Sequence, residues 1–166
     1  MFGWARIRPV ITLPFGSMTE SVLQDDSATT MRFDTKIAIV VRAGLPAWQK
    51  LNMTAFLASG VAASASDSIG APYADADGTT YLSMFGQPTM VFEADADELA
   101  RTLARALERG VVPAVFTSDL FATGHDAANR AAVAARTRND LDLTGLAFRA
   151  PRRDADKITK GLRLHA

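Results

Sequence analysis

Among its 166 residues the chain has no cysteine, two histidines, and no net charge, since eighteen basic and eighteen acidic side chains cancel. The missing cysteine excludes disulfides, thiolate nucleophiles and cysteine-based zinc sites, and fits a reducing cytoplasm, the expected location. His125 and His165 stand too far apart for a His-x-x-x-His metal pair, so neither a metal nor another cofactor is expected. The balance of charge removes any general electrostatic pull on nucleic acid. The longest apolar runs are too short for a secretory core or a membrane span, so no membrane partner is expected. Also missing are a Gly-x-Ser-x-Gly elbow and the glycine spacings of P-loops and dinucleotide folds. Asp75-Ala76-Asp77-Gly78 only superficially matches a calcium loop: its glycine comes early and no glutamate follows at the required distance.

What is present is 48% apolar content, enough for one domain with a core. Residues 1–30 carry Arg6, Arg8, Pro9 and Pro14 without periodic structure and read as peripheral. Met18 and Met31 leave two readings of that segment, an upstream start codon or a flexible arm. The domain proper is expected over 31–166.

Lys36 to Val41 is a β-branched apolar run bounded by charge, as in a strand covered on both faces. After Pro46 comes a helix to about Ala63, with Leu45, Trp48, Leu51, Met53, Phe56 and Leu57 at helical spacing; Trp48, Met53 and Phe56 read as core. Small and polar residues from 63 to 72 mark a surface loop. Asp77-Gly78 turns a short hairpin near 77–84, and Thr89 to Glu93 forms a second apolar strand. Asp95 and Glu98 make a capping box for a helix with the stripe Leu99, Leu103, Ala106 and Leu107, closed by Gly110. A third strand follows over Val111 to Phe116, giving a βαβ unit. An alanine-rich helix is expected over 125–136, a fourth strand over Leu143 to Phe148, and a terminal helix over Asp154 to Lys160 closed by Gly161. His165 falls in a terminus expected to be mobile.

The loop after the third strand, Ser118 to His125, gathers an acid, hydroxyls and a histidine at a strand end, where α/β domains place their ligands. Asp119 is read there equally as a functional acid or as a helix cap. Thr123 is as readily an N-cap with Asp126 three residues on. Lys50, on charge alone, is a solvated helix lysine. His125 could serve as acid or base beside Asp119 or Asp126. From Arg149 onward six basic residues face Asp154 and Asp156, a local excess of four. A solvated helix explains this cluster, which includes Lys157, better than a phosphate-binding face does.

Three segments in order, Ile37 to Lys50, Val91 to Thr117 and Leu143 to Leu164, resemble the type II peptidyl-tRNA hydrolases. Asp156-Lys157-Ile158-Thr159-Lys160-Gly161-Leu162-Arg163-Leu164 resembles that family's closing motif. Met31 to Lys36, Pro46 to Asn52 and Leu120 to His125 look like the uncharacterised DUF 2000 family, itself similar to that fold. The resemblance implies a three-layer α/β/α sandwich on a mixed four-stranded sheet. It also implies a hydrolase-like enzyme acting on an ester or amide: Asp119 positions water, Thr123 holds the acyl group and Lys50 meets an anionic part of the substrate. His125, Asn52 and Lys157 join as binding candidates. The departures are plain: Ala47-Trp48-Gln49-Lys50 stands where the hydrolases carry Gly-Lys-Gly-Lys, and Phe121 replaces a glycine after Asp119 and Leu120. They disfavour tRNA and leave a second reading open, a non-enzymatic ligand-binding or homo-oligomeric module on the same scaffold. Both readings require the chain near positions 50 and 120 to meet at one rim of the sheet.

Overall fold

The structure, a computed structural model, describes residues 32–166. The expected extension over 1–30 lies outside the described residues. The elements are β1 (Thr35–Arg42), α1 (Ala47–Ser64), β2 (Tyr73–Ala74), β3 (Thr80–Tyr81), β4 (Thr89–Ala94) and α2 (Ala96–Glu108). Then come β5 (Ala114–Thr117), α3 (Asp126–Ala134), β6 (Leu143–Pro151), α4 (Arg152–Ile158) and β7 (Arg163–Leu164).

β1, β4, β5, β6 and β7 form one mixed sheet in the order β5-β6-β1-β4-β7, with β1 parallel to β4 and the other pairings antiparallel. The sheet therefore has five strands where four were expected. The addition is β7, whose Leu164 and Arg163 pair with Phe92 and Glu93. Two residues are too short for period-two alternation to show, and their place is supplied by the free edge of β4. His165 is correspondingly fixed: its N–H donates to the Val91 carbonyl at 2.9 Å.

β1 explains its own apolar run, because alternate side chains enter opposite cores. Ile37, Ile39 and Val41 pack with Met53, Leu57 and Val61 of α1 on one face. Ala38 and Val40 pack with Leu99, Leu103 and Ala106 of α2, and with Ala155 and Ile158 of α4, on the other. β4 and β5 run in the same direction, as the βαβ reading required, but β1 and β6 lie between them. The β2–β3 hairpin turns at Gly78, whose φ of 85° suits glycine. Asp75 closes that turn by accepting from the Asp77 and Thr79 N–H groups at 3.0 and 2.8 Å and from the Tyr81 hydroxyl at 2.7 Å. These bonds hold its carboxyl below the ordinary range, the Tyr81 hydroxyl contributing most.

The capping box of α2 is complete: the Glu98 N–H donates to Asp95 at 2.7 Å, and the Asp95 N–H donates to the Glu98 carboxylate at 2.9 Å. Gly110 ends the helix with a φ of 68°. Asp95→Ala should cost about 1 kcal/mol of stability, read as a lower urea midpoint with an unchanged slope.

Three core assignments are corrected. Leu107, read as part of the α2 stripe, is exposed, and Thr102 is buried beside Leu99, Leu103 and Ala106 instead. Trp48 and Phe56 are 59% and 53% exposed. Since α1 is apolar on most of its circumference, spacing alone does not say which stripe faces the sheet. The buried stripe is Met53, Leu57 and Val61. Trp48, Asn52 and Phe56 form a second stripe at i, i+4 and i+8, turned by about 100° from the first.

Candidate functional site

The carboxyl ends of β1, β4 and β5 share one rim, where the chain enters α1 and, after β5, the turn Ser118–Ala122. Asp142, just before β6, ties this rim together through an ion pair with Arg42 and a bond of 2.6 Å from the Ser118 hydroxyl. The Ser118 bond, and after it the Arg42 guanidinium, hold the Asp142 carboxyl below the ordinary range against the opposing cost of desolvation. A depressed folded value means that the tie stabilises above the unfolded carboxylate range near pH 4 and fades as pH falls through the folded value. Asp142→Asn should therefore lower the urea midpoint at pH 7 and narrow its gap from the parent at pH 3.

The turn carries Phe121 back onto α1. The Phe121 ring meets Trp48 edge-on, with centroids 5.7 Å apart at 71°, and lies 4.9 Å from Phe116. Phe116 in turn lies 5.8 Å from Phe56. These four rings bound a cavity of about 400 Å³ whose polar lining includes Asn52, Thr123, His125 and Asn129. A second cavity of about 520 Å³ shares Phe56, Phe116, Leu120, Asp126 and Asn129 with it and runs along β5 to Arg130 and Val133 of α3. α3 has no buried residue and forms the far wall.

His125, not Thr123, is the N-cap of α3: its Nδ1 accepts the Ala128 N–H at 3.2 Å. A neutral ring bonded this way carries its proton on Nε2, which leaves a donor on its free edge. The Thr123 hydroxyl sits between the Leu120 carbonyl at 2.9 Å and the Asn129 amide oxygen. That pairing fixes the Asn129 side chain at the junction of the two cavities.

The remaining candidates lie elsewhere. Lys50 is two residues from both Trp48 and Asn52, hence on another side of α1. Its ammonium donates to Glu93 at 2.7 Å and to His165 Nε2 at 3.1 Å. It lines a separate cavity of about 380 Å³, walled by Val41, Leu51, Val91 and His165. Glu93 is held below the ordinary carboxylate range, chiefly by the Lys50 hydrogen bond. Asp119 lines none of these three cavities; it stands 3.8 Å from Arg136 at the surface. Lys157 is on α4, across the sheet from α1. Within the basic cluster, Arg149 grips both carboxylate oxygens of Asp67 at 2.7 and 2.9 Å.

Lys50 and Thr123 thus line different cavities, while Asn52, Thr123 and His125 share one. Sequence reasoning missed Phe116, Phe121 and Asn129. The available signal was the Trp48-Asn52-Phe56 stripe, a polar residue between aromatics at helical spacing. Among the described residues no group of three or more histidines, aspartates or glutamates could hold a metal ion, and no helix is long and apolar enough to cross a membrane.

Over the described residues, fold and rim together define a mixed α/β arrangement of four helices and a five-stranded mixed sheet, with an aromatic cleft beside one edge strand. Residues 35–166 match the family described as protein of unknown function (DUF2000), and the chain belongs to that family. It is also similar to a solved structure of a protein of unknown function, Atu0240, from Agrobacterium tumefaciens strain C58. That similarity has a TM-score of 0.79 at 44% identity and covers 81% of this chain and 100% of that one. No curated protein matches.

Proposed function

We propose that this protein binds a small molecule in the cleft between α1 and α3, as a ligand-binding module of the second kind considered from the sequence. On this reading the sheet, with α1 on one face and α2 and α4 on the other, is a three-layer α/β/α arrangement of the peptidyl-tRNA hydrolase II type. The observation that carries the reading is the exposure of Trp48 and Phe56 at a cleft floored by Phe116 and Phe121. Burying a large apolar side chain is worth roughly 1.5–3 kcal/mol, so two such rings left open beside a concavity form a surface that gains by being covered. The cleft is of ligand size, within the roughly 300–1,000 Å³ of small-molecule sites, and sets a few polar groups against apolar walls.

The hydrolytic reading asks Asp119, Thr123 and Lys50 to surround one reacting carbonyl. Its support is weaker, since Lys50 is spent on Glu93 and Asp119 faces Arg136. The test has two arms. N-phenyl-1-naphthylamine, an uncharged fluorescent probe of apolar clefts, should brighten on binding and reach saturation at one molecule per chain. N-blocked aminoacyl-tRNA should not be turned over by the protein. Failure of the probe to bind would overturn the reading, as would hydrolysis that Asp119→Asn abolishes.

A further inference from the structure

The chemistry of the lining narrows the ligand, and this step rests on the binding reading above. The 400 Å³ cavity sets two carboxamides, Asn52 and Asn129, among four aromatic rings. A primary carboxamide offers one acceptor and two donors in a plane, and so matches a neighbouring donor and acceptor on the edge of a flat heterocycle. Half-exposed aromatic rings offer faces on which such a ring stacks, as bases stack on aromatic side chains. The Nε2–H of His125 adds a further donor.

Charge then separates the members of this class. No lysine or arginine lines this cavity, and its one carboxylate is Asp126. Of the nearby cations, Arg130 lines the adjoining cavity and pairs there with Asp126 at 2.7 Å, and Lys50 pairs with Glu93 at 2.7 Å on another side of α1. A phosphate here would meet the Asp126 carboxylate and would have to take Arg130 away from it to gain a cation. We infer that the α1–α3 cleft takes an uncharged planar nitrogen heterocycle of the nucleobase or nucleoside class and discriminates against the corresponding nucleotides.

The experiment uses the full chain loaded with N-phenyl-1-naphthylamine and titrated with adenosine, guanosine, cytidine and uridine, then with their 5′-monophosphates. At least one nucleoside should displace the probe, and its monophosphate should compete at least tenfold less well. Asn52→Ala should lower the ratio of nucleoside affinity to probe affinity at least tenfold, a readout that a general loss of folding would not move. If the probe binds but no nucleoside displaces it, the heterocycle inference fails and the cleft reading survives. If the probe itself does not bind, the cleft reading fails. Monophosphates competing as well as nucleosides, or an Asn52→Ala ratio within threefold of the parent, would overturn the inference.

Discussion

Gly145→Ala is expected to destabilise the domain by about 3 kcal/mol, seen as a large drop in urea midpoint without a change of slope. Gly145 lies in β6 directly beneath α1. A Cβ built there would stand 2.5 Å from the Met53 sulfur, 3.0 Å from Leu57 Cδ1 and 3.0 Å from the Val40 carbonyl oxygen. Met53 could turn away, but the Val40 oxygen belongs to the central strand, paired with β6 on one side and β4 on the other. The helix must therefore lift, and Met53, Leu57 and Val61 lose their close packing together. By contrast, Gly124 has nothing within 4 Å of a built Cβ. Gly124→Ala should leave the midpoint nearly unchanged, and equal losses at the two positions would contradict this packing.

The second large effect is on binding. Trp48→Ala and Phe56→Ala should each weaken N-phenyl-1-naphthylamine binding by about fivefold or more, because stacking on an aromatic face is worth roughly 1–3 kcal/mol. Their effect on stability should be much smaller than that of Met53→Ala, for which removal of a fully buried side chain costs about 2–5 kcal/mol. If these rings were core residues, as the spacing in α1 suggests, both would behave like Met53. Paired titrations and urea curves on the three variants separate the two cases.

How far the fold was legible depended on whether each element carries its own signal. β1 announced itself because a strand covered on both faces is apolar at every position. α2 did so through Asp95, Glu98 and Gly110, all local to the helix. The hairpin was legible from Asp77-Gly78. β7 was not, since its two residues owe their conformation to β4.

The cleft was legible only in part. The sequence singles out Asn52, Thr123 and His125, which line one cavity, yet its helical spacing assigns Trp48 and Phe56 beside them to the core. Whether Trp48 is buried depends on which stripe of α1 meets the sheet, a decision made by Ile37 and Ile39 of β1 and by Phe116 and Ala147 far along the chain. Phe116 and Phe121 reach α1 because β5 sits at the sheet edge beyond β6, an order that nothing local to either strand encodes. The family resemblance groups Lys50 with Asp119 and Thr123. Helical geometry turns it toward Glu93 and His165 instead.

The most direct measurement is a ¹⁵N–¹H correlation spectrum recorded while N-phenyl-1-naphthylamine is titrated into the protein. The account predicts that the shifts concentrate on the Trp48 indole, the Phe121, Gly124 and His125 amides and the Asn129 side-chain amide, with Lys50 and His165 silent. Shifts centred on Lys50, Val91 and His165, or spread evenly over the exposed surface, would contradict it.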